Sequence, residues 1–318
     1  MRVDPALAEF AGDPAWMALA QGRVLAARDA WAAWPDVASV LRECDALAGG
    51  RAFQECPQLG RLMAGEGAHG FVANWLNAMM QAWRDNPMAQ LSFRHSHAGG
   101  TAIMHLYHAN RVTLAVMAVA PGVAESLSTI AFTDCERREI VLAGRGRAKT
   151  YPFREGATPE AEEQPLERGV QLRRDGGQSG VILAEGAPVV LLRLALDPER
   201  PAPTHEVEIA SGRVVHRASA SAAEGRAELA AALLGAMGRS DAAPTLADYA
   251  CGQAGEGARW QALRHALALE TGAGFAGLCA IADRGSDPLA APARDLRDRL
   301  CATYPQLANL RADACLAS

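Results

Sequence analysis

The feature that most constrains this chain is a double change of hydrophobic period. Residues 1–88 carry apolar side chains at helical spacing, residues 89–219 carry them in short runs rich in β-branched and aromatic residues, and residues 220–318 return to helical spacing. Segregating the periods this way argues against a parallel βαβ sheet and points to an α+β chain. The expected architecture is an antiparallel β sandwich or barrel, flanked by N-terminal helices and by a C-terminal helical-repeat-like domain. The N-terminal helices could also pack on the barrel itself.

In the first segment, Asp13-Pro14 reads as a helix start, and Trp16, Ala20, Val24, Ala27, Trp31 and Trp34 follow at close to helical spacing. Asp36, after Pro35, opens a second helix carrying Val37, Val40, Leu41 and Leu47, which Gly49-Gly50 stops. Phe71, Trp75, Leu76, Met79 and Trp83 form a further stripe that ends at Asn86-Pro87. A stripe of Trp and Met could line a ligand pocket, but large side chains there read first as filler between helices. The middle segment contains about ten short strands separated by glycine-containing turns. Within it, 154–169 is acidic and proline-punctuated, and is expected to be an exposed loop. In the last segment, Trp260, Leu263 and Leu267 share one helical face, as do Leu289, Ala293, Leu296 and Leu300. Short consecutive helices of this kind resemble stacked HEAT-type pairs.

Charge and cysteine content narrow the function classes. The formal net charge of -5 argues against a broad nucleic-acid footprint. No stretch has the apolar length of a membrane span, and MRVDPALAEFAGDPAW lacks the apolar run of a secretory signal. The seven cysteines form no C-x-x-C pair, which argues for free thiols in a reducing, cytoplasmic compartment. Lys149 is the only lysine, and with the alanine richness this suits a GC-rich bacterial genome. No phosphate loop, dinucleotide fingerprint, nucleophile elbow or H-E-x-x-H occurs. Cys135 lies between Asp134 and Glu136, whose charges would raise its pKa and make it a poor nucleophile.

The chemistry-bearing stretch is FRHSHAGGTAIMHLYH, which holds half of the eight histidines. His95 and His97 are two apart on an expected strand, so their imidazoles share a side. His105 is expected to face them from the next strand, and His108, of opposite parity, to point away. Two imidazoles with a third ligand are a common way to hold a divalent transition metal. His95, His97 and His105 are therefore the candidate metal ligands.

His95-Ser96-His97 resembles the His-x-His of the first cupin motif, and the strand layout over 91–218 looks cupin-like or jelly-roll-like. The glutamate that follows His-x-His in that motif is missing from Ala98-Gly99-Gly100-Thr101-Ala102. The region of the second motif, FTDCERREIVLAG, has Asp134 and Glu136 but Arg137 and Arg138 where a histidine would stand. Phe132-Thr133-Asp134 is similar to the Phe-x-Asp turn of some double-stranded β-helix oxygenases, again with arginine replacing the imidazole. A guanidinium has no free lone pair for a metal. If the likeness holds, the barrel has lost its metal and has an anion site or a structural salt bridge instead. Arg137, Arg138, Arg145 and Arg147 otherwise read as a solvated basic strand face.

Two functions remain. The first is a non-catalytic module that binds a small ligand or peptide, with the helical ends contacting a protein partner and no cofactor expected. The alternative is a metal-dependent cupin-type oxygenase or isomerase, in which His95, His97 and His105 or Asp134 hold iron, nickel, manganese or zinc. Neither reading involves nucleic acid or a membrane.

Overall fold

The computed structural model describes residues 14–87, 89–91, 93–122, 127–154, 156–199, 202–219 and 221–307. It divides into two compact units, 1–201 with 206–215, and 202–205 with 216–318. The chain is α+β with antiparallel sheets, helices before them and helices after them.

Among the described residues, four α-helices precede the strands: α1 (Pro14–Ala32), α2 (Pro35–Ala48), α3 (Pro57–Met63) and α4 (Ala68–Asp85). Asp13, the expected N-cap of α1, lies outside the described residues. Pro35 occupies the first turn of α2, where no intrahelical N–H is needed, and Asp36 beside it suits the positive end of the helix dipole. Val37, Val40, Cys44 and Leu47 are its buried stripe. In α4, Phe71, Trp75 and Met79 are buried, whereas Leu76 and Trp83 of the expected stripe stay exposed. Trp31 packs edge-on against Phe71 at 5.6 Å and against Phe93 at 6.2 Å between centroids.

Among the described residues, twelve strands follow: β1 (His95–Ala98), β2 (Thr101–Ala109), β3 (Val112–Val119), β4 (Thr129–Phe132), β5 (Glu136–Ala143), β6 (Gly146–Pro152), β7 (Glu162–Leu166), β8 (Gln171–Arg174), β9 (Gln178–Ala184), β10 (Val189–Leu196), β11 (Thr204–Glu208) and β12 (Val214–Ala218). One sheet runs β1-β2-β3-β10-β5-β8. The other layer contains β7-β6-β9 and β12-β11-β4. It is joined where the Ser179 hydroxyl on β9 donates to the Ala131 carbonyl on β4 at 2.6 Å. Counted from β3 to β10, the eight barrel strands read first–eighth–third–sixth in one layer and second–seventh–fourth–fifth in the other. That is the jelly-roll order of the cupin barrels.

One expectation needs correction. The acidic stretch 154–169 is not all loop, because its Glu162–Leu166 segment is β7, an edge strand on β6. Glu163 sits opposite Lys149, and its carboxylate also reaches Arg147, each at 3.2 Å. Cross-strand charge pairing recruits a segment with little apolar content, and Pro165 is tolerated at a sheet edge.

The pleat divides the larger sheet into two faces. Ile140, Leu142, Leu192, Leu194, Val112 and Leu114 face the helices and share a core with Trp31, Leu47, Phe71 and Trp75. The N-terminal helices and the sheet thus have one core in common. Met117, Val119, Val141, Val189 and Leu191 face inward against Ala148, Leu166 and Ile182 of the second layer. Each buried valine, leucine, isoleucine or methionine among these contributes about 1.5–3 kcal/mol of transfer free energy. At the β5–β6 turn Gly144 has a φ of 88°, and a Cβ there would lie 2.3 Å from the Pro188 carbonyl, so no larger residue fits.

The second unit holds α5 (Ala222–Ala236), α6 (Ala243–Ala250), α7 (Glu256–Leu269), α8 (Thr271–Ala282) and α9 (Ala290–Thr303). Helix α7 lies against α5, α6 and α8, and α8 against α9. Leu263, Phe275, Leu278 and Ile281 are its fully buried centre. The expected helical character holds, but lengths of 15, 8, 14, 12 and 14 residues show no repeating unit. Arg259 and Asp287 form a buried ion pair, and the Arg259 Nε also donates to the Ala250 carbonyl at 2.7 Å, tying α7 to the end of α6.

Candidate functional site

The strand registers place the polar inward residues of the larger sheet at one end. Ala195 lies opposite Thr113 and Arg137; Thr113 in turn lies opposite His108, and Arg137 opposite Arg174. One step deeper, Arg193 lies opposite Ala115 and Glu139; Ala115 lies opposite His105, and Glu139 opposite Leu172. The next step is apolar, with Ile103, Met117, Leu191 and Val141. Directly paired residues share a face. His105 and His108 therefore stand on one flank, Arg137, Arg174, Arg193 and Glu139 on the other, and Thr113, Ala115 and Ala195 between them.

Glu139 organises the charged flank. Its side chain is 0% exposed and that of Arg174 is 3% exposed, and the two are ion-paired. The Arg193 Nε donates to the Glu139 Oε1 at 2.5 Å, while the Arg193 side chain keeps 21% of its exposure. Burial alone would push the Glu139 carboxyl up, but the Arg193 and Arg174 guanidiniums overcome this and hold it below the ordinary carboxylate value. A Cβ on Gly180 of β9 would overlap the Arg174 guanidinium, so the facing layer leaves this arginine its space by carrying glycine there. Arg137 donates to the Thr133 hydroxyl at 2.5 Å. Arg137, Arg174 and Arg193 outnumber Glu139 on this flank, and Asp197 lies at its end beside Cys135.

The histidines depart from the expected parity. Strand β2 has a bulge between His105 and Tyr107. Leu106 and Tyr107 both belong to the helix-covered face, where Leu106 is buried and the Tyr107 hydroxyl donates to Asp45 on α2 at 2.6 Å. The extra residue returns His108 to the side of His105. Their rings lie 6.2 Å apart, and the His108 Nδ1 is 2.9 Å from the Thr113 hydroxyl. The His105 Nδ1 is buried without a hydrogen-bond partner. Burial lowers the pKa of His105, and Arg94 and His108 lower it further, so the ring is neutral at pH 7.

His95 and His97 pair with Met104 and Ala102, so they do share a face, and both are exposed. His105 belongs to the opposite face, with Ile103 and Ser96. The expected three-histidine set is not brought together, because the β1–β2 register puts His105 out of phase with His95. Among the described residues, no group of three His, Cys, Asp or Glu side chains is placed to hold a metal ion. The donor set therefore does not fit the metal that a cupin barrel implies. The Nδ1 of His95 instead approaches the Phe93 carbonyl at 3.2 Å.

The expected basic face is split by the pleat. Arg137 points inward, whereas Arg138 lies on the helix side, 3.9 Å above the Phe53 ring and 2.6 Å from Glu136. Cys135 is indeed a poor nucleophile, its thiol pushed up to about 12, but burial is the main cause and Asp197 adds to it. The sequence reading missed Glu139, Arg174 and Arg193. The one signal it offered was a glutamate in phase with Val141 of the inward face, inside a run of arginines and aliphatics.

No family model and no curated protein matches the chain. Solved structures match parts of it. The capsular polysaccharide assembling protein CapF from Staphylococcus aureus is 13% identical over 34% of this chain and 32% of its own, with a TM-score of 0.27. The Momordica charantia 7S globulin is 16% identical over 37% of this chain and 35% of its own, with a TM-score of 0.28. Fe(II)-HppE with an alternative substrate is 12% identical over 32% of this chain and 55% of its own, with a TM-score of 0.27. The chain thus spans about a third of the first two and about half of the third. The jelly-roll assignment rests on the strand order, not on these likenesses.

Proposed function

We propose that this chain is a non-catalytic binding module, in which a small ligand enters the polar end of the jelly roll. The observation that carries the reading is the buried Glu139 held between Arg174 and Arg193 on the inward face. Side chains that are already paired and packed form a fixed binding surface, not a set of free metal donors. The helical ends would take a protein or peptide partner. Leu229, Leu233 and Met237 support this: they recur every four residues along α5 and its C-cap and are 71%, 59% and 59% exposed.

Elemental analysis of protein purified without chelators, beside a small-molecule thermal-shift screen, tests the reading. Ligand-dependent stabilisation without stoichiometric metal supports it. The alternative, a metal-dependent enzyme using His95 and His97, draws on their shared exposed face. One equivalent of iron, nickel, manganese or zinc, lost from the His95→Ala/His97→Ala double variant, would establish that alternative and overturn the module.

A further inference from the structure

We infer that the ligand of the barrel's polar end is a small oxyanion, a carboxylate or phosphate group held by the guanidiniums of Arg137 and Arg193. The inference rests on the binding-module reading and specifies its ligand class.

Three features converge on it. The first is charge. Three arginines share one carboxylate on the same flank of the inward face, and Glu139 spends its two oxygens on Arg174 and Arg193. The arginines in excess of that carboxylate lie in a partly buried place, where an anion gains more from them than in water. The second is geometry. Arg193 commits its Nε to Glu139, which fixes the plane of its guanidinium. Arg137 bonds Thr133 through one Nη and sits next but one along the same strand as Glu139. Two arginines anchored by one nitrogen each still have N–H groups in a fork, the geometry that matches a carboxylate or phosphate edge.

The third is the opposite flank. Thr113, Ala115 and Ala195 separate the arginines from His105 and His108. The buried Nδ1 of His105 has no hydrogen-bond partner, although a buried polar atom normally finds one. Nor does the buried Nε of Arg174. An oxyanion whose far end reaches His105 would relieve the first of these.

The test uses the full chain in chloride buffer, titrated by calorimetry with orthophosphate and, separately, with succinate, with glucose as the neutral probe. The expected result is saturable binding of an anion and none of glucose, weakened at least about tenfold in Arg137→Gln, as the loss of one charge-assisted hydrogen bond requires. Arg137→Lys, which keeps the charge and loses the fork, falls between the two. Binding of orthophosphate alone assigns a phosphate group, of succinate alone a carboxylate, and of both the shared oxyanion chemistry. Near-ultraviolet circular dichroism checks that each variant is folded. Failure of both anions to bind, or binding that is unchanged in folded Arg137→Gln and Arg193→Gln, overturns the inference. The binding-module reading fails on a different observation, stoichiometric metal released by the histidine double variant.

Discussion

Glu139 on β5 and Arg193 on β10 lie directly opposite each other, with the arginine Nε 2.5 Å from the carboxylate, while the second oxygen of Glu139 takes Arg174 from β8. One fully buried carboxylate therefore ties three adjacent strands of the jelly roll. Replacing a buried ion pair whole by apolar residues is often harmless, but removing one partner leaves the other uncompensated.

Glu139→Gln leaves Arg174, 3% exposed, without its counter-charge. The expected loss is about 3–5 kcal/mol of folding stability. Urea unfolding of the variant measures it directly. A loss below about 1 kcal/mol, the scale of an exposed pair, would show that this carboxylate is not the buried tie described. Adding Arg174→Met to the same variant should recover part of the loss.

Gly180→Ala attacks the same pair without touching a charge. The new methyl group would occupy the position of the Arg174 guanidinium, which is walled in and cannot swing to solvent. A destabilisation of about 1–3 kcal/mol is expected from the overpacking alone. In the Glu139→Gln background the same substitution should do much less, since both changes act on one contact. Additive losses in a double-mutant cycle would mean that the alanine acts elsewhere.

Much of the frame is legible in the sequence because period alone reports it. Pro35-Asp36, the stripe Phe71-Trp75-Met79 and the run VVLLRLAL each carry a local signal that tertiary contacts merely confirm. The site is less legible because pairing decides it. No local pattern says that β2 bulges after His105; the gain is the burial of Leu106 and the packing of a partly buried Tyr107 against the helices, which depends on α2 and β3. That single inserted residue carries His108 across the sheet. Strand β7 was hidden for the same reason, since Glu162-Glu163-Gln164 has no apolar alternation and becomes a strand through Lys149 and Arg147 on its neighbour. Arg137 was visible as an arginine in place of a histidine. Its partners across the sheet were not.

The pH dependence of stability should show two separate windows. His105 has its folded pKa lowered below the ordinary 6.5, by burial first and then by Arg94 and His108. Between those two values the unfolded chain binds the proton and the folded chain does not, so stability falls as pH drops below 6.5. Glu139, held below the ordinary 4.5, gives a second loss in the same direction as pH falls through its folded value. Urea midpoints measured across pH check both. His105→Gln should flatten the upper window and leave the lower one, and an unaltered upper slope in that variant would remove His105 as its source.

The exposed pair on β1 gives the contrasting case. His95 and His97 lie on a strand with four exposed residues, at the edge of the sheet, on the face opposite His105. Their replacement removes little buried surface and breaks into no ion pair, so the His95→Ala/His97→Ala variant should keep its stability within about 0.5 kcal/mol. Its affinity for orthophosphate or succinate should equal that of the parent chain, because the pleat separates these imidazoles from Arg137 and Arg193. His105→Ala, on the inward face, should instead weaken that affinity. Calorimetry on both variants decides between the faces. Anion binding that collapses in the β1 variant and survives in His105→Ala would move the site to the outer edge of the sheet, and with it the function of the barrel.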